Sequence, residues 1–292
     1  MRLVQYREQG GHRAVAVMDR APPTEARRVQ DAENTYELAL EALETGKSLA
    51  ETVRLHGTDS VIDLDKVGRE GRLLAPIEHP VPTRCWITGS DIGPGQGQAA
   101  LGWFFRGNGA TLVGSGQPLQ QPDFGMGAAA RAAVVGLYII ADDGTPCRLG
   151  WALGNDFTDD RVLGLGPAHR APARLRASAV GPELVFGDLP REITGSVRLR
   201  RGSELVEEVA FAMGQAALGQ TLAALEANHF RYPMFRRPGD VHFHFLAGGD
   251  GPSLASAAQA GDVFEIAAPD FGLSLVSPLA AVNWAAPKTR VL

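Results

Sequence analysis

The most informative part of this sequence is the stretch NHFRYPMFRRPGDVHFHF, which runs from Asn228 to Phe245. It places aromatic, basic and histidine side chains in a turn between a predicted helix and a predicted strand. Such a mixture is typical of a functional site, because a surface without a function has no use for it. His242 and His244 are two residues apart in the predicted strand, so both point to one face of the sheet. There they could act as an acid–base pair or as ligands, or be hydrogen-bonded structural residues.

The composition excludes several classes of protein. With 45% hydrophobic and 21% charged residues and a net charge of −5, the chain has no basic excess to hold a nucleic-acid backbone. The first residues lack the apolar run of a secretion signal, and no segment reaches membrane-spanning length, so a cytoplasmic protein without a membrane partner is expected. Cys85 and Cys147 are too few for a disulfide framework and have no metal-ligand spacing.

Two regions with different patterns follow each other along the chain. In residues 1–82, apolar alternation around Gly10 and Gly11 predicts a hairpin, and amphipathic patterns predict helices over 34–44 and 48–56. From Arg84 onward the sequence consists of short β-rich runs, interrupted by one helix predicted over 214–227. The sequence therefore predicts an α+β protein, with a small N-terminal α/β lobe at 1–82 and a larger mixed β domain at 83–292.

Read together with Gly181-Pro182-Glu183-Leu184 and Gly261-Asp262-Val263-Phe264-Glu265-Ile266, the stretch from Asn228 to Phe245 resembles the fumarylacetoacetate hydrolase family. The resemblance is to its 2-keto-3-deoxy-arabonate dehydratase-like branch and extends over nearly the whole chain. It implies a β-roll of mixed sheets that assembles as a homodimer.

The metal positions of that family are altered here. The resemblance implies a magnesium ion held by a Glu-x-Glu pair and by an acid in a later Gly-x-x-x-Asn-Asp/Glu segment, because a hard cation needs clustered anionic oxygens. A similar segment runs from Gly150 to Asp156, with four residues between Gly150 and Asn155 where the motif has three, and Asp156 is the matching ligand. The Glu-x-Glu positions fall on Arg131 and Ala133, which offer no side-chain oxygen. We therefore expect that no metal is bound and that Arg131 neutralises Asp156.

Two lysines of the family are also replaced. One matches Arg106 in Trp103-Phe104-Phe105-Arg106-Gly107, and the other, shortly before Gly181-Pro182-Glu183-Leu184, matches Arg174. Arginine can grip a carboxylate with two parallel hydrogen bonds, but it is a poor proton acceptor. The loop between Thr88 and Trp103, where relatives carry a histidine and a longer segment, is short and glycine-rich, which predicts a more open or differently closed cavity.

These observations give a set of candidate residues and three functional hypotheses. The candidates for catalysis are Asp156, Glu183, His229, His242 and His244, and those for substrate binding are Arg106, Arg131, Arg174, Tyr232 and Arg236. The first hypothesis is a metal-independent lyase, dehydratase or cyclisation enzyme acting on a small oxo-acid or β-dicarbonyl compound. The second is a magnesium-dependent sugar-acid dehydratase or C–C bond hydrolase. The third is a non-catalytic relative that binds a small molecule or a partner subunit.

Overall fold

Most of the chain lies in two β-sheets. The computed structural model describes residues 1–19, 25–92, 102–248, 253–254 and 258–292. The strands of the larger sheet are β1 (Arg2–Arg7), β2 (Arg13–Met18), β3 (Ala26–Val29), β4 (Thr58–Ile62), β5 (Cys85–Ile92), β6 (Gly102–Asn108), β7 (Leu112–Val113), β9 (Ala132–Ile140), β10 (Pro146–Asn155), β11 (Ser178–Val180), β12 (Glu183–Val185) and β15 (Val241–Gly248). Those of the smaller sheet are β8 (Leu119–Pro122), β13 (Ile193–Arg201), β14 (Glu204–Met213), β16 (Val263–Ala267) and β17 (Leu275–Val282).

The larger sheet is mixed and runs in the order β4-β3-β2-β1-β12-β10-β9-β15-β5-β6. Its strands pair antiparallel except for β15 with β5, while the short β7 and β11 form a second parallel pair beside β10. The smaller sheet runs β14-β13-β16-β17-β8. The predicted N-terminal hairpin is confirmed as β1 and β2, and β1 continues into the main sheet by pairing with β12. A domain boundary at residues 82 and 83 stays a prediction.

The helices are short and lie between strands. They are α1 (Thr35–Thr45), α2 (Leu49–His56), α3 (Leu64–Arg69), α4 (Asp160–Leu163), α5 (Arg170–Arg174) and α6 (Leu222–Phe230). The first two confirm the predicted helices, and Ser48 begins α2 with a capping box completed by Glu51. The helix predicted over 214–227 begins later, because the Thr221 side chain accepts from the Ala224 N–H as the N-cap of α6. In the described ranges no helix is both long and apolar enough to cross a membrane.

Strand β15 lies within the larger sheet, and its two faces have different surroundings. Val241, Phe243 and Phe245 point into a core shared with α1 and α2, and all three are completely buried. Their alternation leaves His242 and His244 on the opposite face, as the sequence predicts. Burial of a phenylalanine in such a core stabilises the fold by about 3 to 5 kcal/mol relative to alanine. The apolar half of the motif therefore fixes the face on which the histidines lie.

Candidate active site

A buried ion pair occupies one face of the larger sheet, where β6 and the end of β10 meet. The guanidinium of Arg106 donates from Nη1 to Asp156, from Nη2 to the Phe157 carbonyl at 2.7 Å and from Nε to Ser178 Oγ at 3.0 Å. Arg106 is 0% exposed and Asp156 is 2% exposed. Charges this deep in a protein are stable only when they are paired and hydrogen-bonded, and both conditions are met here.

Aromatic rings and a second arginine surround this pair. The Arg106 guanidinium lies 5.1 Å from the Phe245 ring centroid, and that of Arg174 lies 4.0 Å from the centroid of Phe104 on the same strand. Burial lowers the pKa of Arg106; the charge of Asp156 opposes this effect and the like charge of Arg174 adds to it. The positions that match the two family lysines thus bring two guanidinium groups close together.

A second buried ion pair lies next to the first. Arg176 donates to Asp159 at 3.2 Å, and both side chains are buried. Asp159 also accepts from the backbone N–H groups of Val162 and Met126, at 3.0 and 2.8 Å, which makes it the N-cap of α4. Arg176 is a site residue that the sequence reasoning missed, although it follows Arg174 at a spacing of two.

The two positions that the resemblance matches to the Glu-x-Glu pair, 131 and 133, offer no side-chain oxygen to a divalent cation. Ala133 is completely buried among apolar side chains. The backbone carbonyl of Arg131 accepts from the Asp156 N–H at 2.8 Å, so position 131 does lie beside Asp156. The Arg106 guanidinium donates to the Asp156 carboxylate, and neutralisation of Asp156 by Arg131 stays a prediction. Over the described residues, no group of three or more His, Cys, Asp or Glu side chains is arranged to hold a metal.

The three candidate histidines form a cluster of their own. His229 Nε2 lies 3.1 Å from His242 Nδ1, and the ring of His229 stacks on that of His244 with centroids 4.5 Å apart. The two nitrogens of His244 lie 2.8 Å from the hydroxyls of Thr88 and Ser90. Burial lowers the pKa of His229 to about 4. It also brings the pKa values of His242 and His244 well below their usual range. All three imidazoles are therefore neutral at neutral pH.

The histidine cluster and the Arg106 pair lie on opposite faces of the sheet. His244 and Phe245 are consecutive in β15 and point to opposite sides; the first contacts His229, whereas the second underlies Arg106. On β6, Trp103 donates to His229 Nδ1 at 3.1 Å. The structure brings His229, His242 and His244 together, but it does not bring them to Asp156. The signal for the polar partners of His244 was available, since Thr88 and Ser90 alternate in the strand that pairs with β15.

The remaining candidates have other surroundings. Glu183 is buried and pairs with Arg2 at 2.6 Å, while the Leu273 N–H donates to the same carboxylate at 3.0 Å. Burial raises the pKa of Glu183, and Arg2 partly offsets that rise. Tyr232 and Arg236 are exposed in the turn that follows α6. The glycine-rich part of the predicted lid falls on residues 93–101, which lie outside the described residues.

Comparison with known proteins shows likeness at the level of the fold. Neither protein-family models nor curated protein sequences gave a match. The structure of 2-keto-3-deoxy-D-arabinonate dehydratase complexed with magnesium and 2,5-dioxopentanoate is similar, with a TM-score of 0.72 and 15% identity over 97% of this chain and 100% of that one. The apo form of the same enzyme has a TM-score of 0.73 and 14% identity over 97% of this chain and 99% of that one. A 5-carboxymethyl-2-hydroxymuconate delta-isomerase from Mycobacterium smegmatis has a TM-score of 0.62 and 16% identity over 97% of this chain and 100% of that one. The chain therefore has the fumarylacetoacetate hydrolase-type fold that its motifs predict.

Proposed function

We propose that this protein is an enzyme of the fumarylacetoacetate hydrolase fold that transforms a small oxo-acid or β-dicarbonyl carboxylate without a divalent cation. The observation that supports this most directly is the buried pair of Arg106 and Asp156. It puts a fixed positive charge beside the carboxylate that matches a metal ligand of the family. A magnesium-dependent reaction is less well supported, because the matching Glu-x-Glu positions hold Arg131 and Ala133.

Arg106 is assigned the role of polarising a carbonyl or carboxylate oxygen. A guanidinium has five N–H donors, and Arg106 uses three of them on Asp156, Phe157 and Ser178. Two donors are left for a ligand oxygen. A fixed donor in a site without water stabilises developing negative charge more strongly than it would in solvent. Arg174, which lies close enough to lower the pKa of Arg106, is assigned to the substrate carboxylate.

Proton transfer is assigned to Asp156. The histidines lie on the other face of the sheet, and the carboxylate of Glu183 is bound to Arg2. Arginine is too weak an acid to exchange protons at neutral pH. A carboxylate next to a polarised carbonyl can remove a proton from the adjacent carbon and return it to a leaving hydroxyl, which is the chemistry of a lyase or dehydratase.

The test is turnover of a panel of 2-oxo acids and β-dicarbonyl acids, followed by NMR, with EDTA or with added magnesium. We expect a substrate to be consumed equally in both conditions. Activity that appears only with magnesium would refute the proposal. Calorimetry with Arg174→Met should show binding weaker by about 1.5 to 3 kcal/mol, because a charged hydrogen bond is lost. Arg148→Met is the matched control, since Arg148 also lies over an aromatic ring, 5.1 Å from the centroid of Trp151.

A non-catalytic binding protein is the second candidate. The observation that favours it is that the carboxylate of Asp156, the proposed proton carrier, is engaged by Arg106. The same experiments separate the two functions, because a binding protein gives a calorimetric signal with a panel member and leaves it chemically unchanged.

A further inference from the structure

The protons of the histidine cluster can be located from one indole. Trp103 Nε1 can only donate, so the Nδ1 of His229, 3.1 Å away, must accept. Neutral His229 then carries its hydrogen on Nε2 and donates it to His242 Nδ1 at 3.1 Å. His242 must in turn carry its hydrogen on Nε2, which is buried. Trp103 thus donates a hydrogen bond to His229, and His229 donates one to His242.

We propose that the hydrogen bond from Trp103 to His229 is an acid-sensitive clasp between β6 and α6, which opens when His229 binds a proton. The Nδ1 atom is the only ring nitrogen of His229 that has a lone pair in this arrangement. A proton bound there would face the indole N–H directly, because both groups would then be donors. The attraction between Trp103 and His229 would become a repulsion, and the indole would have to move away.

Among the described residues around His229, the carboxylate of Glu226 is already engaged by other side chains and does not pair with the imidazole. The titratable or charged side chains on the described parts of the neighbouring elements are Glu226 and Arg231 at its own helix, His242 and His244 on β15, Tyr138 on β9, and Tyr232 and Arg236 beside Phe235. The Glu226 carboxylate is already bound to Tyr138 at 3.0 Å and to Arg148 at 2.7 Å. Burial lowers the pKa of His229 to about 4, so the clasp is closed at neutral pH.

Opening the clasp would act on the strand that carries Arg106. Trp103 is 37% exposed, so its indole can reach solvent without passing through the core. Strand β6 lies at the end of the sheet and pairs with β5. Its opposite face carries Arg106, which forms the buried ion pair, and Phe104, which contacts Arg174. Release of Trp103 would therefore loosen the beginning of β6 and, through it, the position of the site. This inference is independent of the reaction proposed above.

The experiment is NMR of the full chain with its four tryptophans labelled by nitrogen-15 at the indole, titrated from neutral pH to about pH 4, the pKa of His229. Trp103→Phe assigns the signal. We expect the Trp103 indole N–H to lose its hydrogen-bonded shift and to exchange faster with water as the pH falls. Trp151, whose N–H donates to the Gly187 carbonyl at 3.1 Å, is the internal control and should not titrate.

His229→Gln tests the cause, because the glutamine oxygen can still accept from Trp103 but cannot bind a proton in this range. The Trp103 signal should become independent of pH in that variant. If the variant does not fold, imidazole nitrogen shifts of the unaltered protein give the same answer, since they must show His229 with its hydrogen on Nε2. A Trp103 signal that stays constant to pH 4, or that titrates together with Trp151, would overturn the proposal.

Discussion

Replacing Arg106 by methionine should strongly destabilise the fold. The substitution keeps most of the side-chain volume and the apolar contact with Phe245, but it removes the ion partner of Asp156. A carboxylate that is buried without its partner costs about 3 to 5 kcal/mol. The hydrogen bonds to Ser178 and to the Phe157 carbonyl are lost as well, each worth about 1 kcal/mol. We therefore expect the free energy of unfolding to fall by at least about 3 kcal/mol.

A double-mutant cycle separates the loss of the pair from the loss of packing. Urea unfolding, followed by circular dichroism, would be measured for Arg106→Met, Asp156→Leu and the double variant. Because apolar residues can replace a buried ion pair at little cost, the double variant should recover most of the lost stability. Arg198→Met is the control, since Arg198 pairs with Glu208 at 2.7 Å on the exposed surface, where solvent screens the pair and it contributes little to stability. Equal losses in Arg106→Met and Arg198→Met would refute the reasoning, and so would a double variant no more stable than Arg106→Met.

Three further predictions concern acid, metal and assembly. Between pH 6.5 and about 4, His229 binds a proton in the unfolded chain but not in the folded protein. As the pH falls through this range, the free energy of unfolding should therefore fall by about 3 kcal/mol from this group alone, which urea titration at each pH would measure. Magnesium should not change the melting temperature of the variant Arg131→Glu with Ala133→Glu, because Arg106 still holds the Asp156 carboxylate. When Arg106→Lys is added to that variant, magnesium should raise its melting temperature. A melting temperature that magnesium leaves unchanged in both variants would contradict this. Light scattering should give twice the chain mass of 31.0 kDa, and a monomer would contradict the homodimer expected from the resemblance.

The elements that sequence predicted well are those with strong local signals. The hairpin of β1 and β2 alternates clearly, and the caps Asn34 and Ser48 mark the beginnings of α1 and α2. In residues 1–82 the strands β3 and β4 were not predicted, because four or five residues carry too little periodicity. The beginning of α6 was placed too early, since Leu218 continues the apolar pattern from a separate turn before the Thr221 cap.

The site was predictable in its residues but only partly in its arrangement. Motif alignment identified Arg106, Arg174 and Asp156, and the structure brings the first two together with Asp156 held by Arg106. The sequence did not reveal that the histidines and the Arg106 pair lie on opposite faces of the sheet. Alternation along a strand places His242 and His244 on the same face, but it does not relate them to residues on other strands. Which face of the sheet each side chain occupies depends on the register in which β15 pairs with β5 and β9, and that register arises from tertiary packing.

Under the proposed function, the Arg106 guanidinium stabilises the charge for which the resembling family is expected to use a cation, and this limits what the site can do. A metal ion can rearrange its ligands and activate a water molecule, whereas a guanidinium offers N–H donors in one plane and cannot supply a proton at neutral pH. Catalysis on this face would then depend on charge stabilisation by Arg106 and on one proton carrier, Asp156. The two functions are coupled, because Asp156 must loosen its hold on Arg106 in order to accept a proton. Reactions that need a single proton moved beside a polarised carbonyl fit these limits, and hydrolysis by metal-activated water does not.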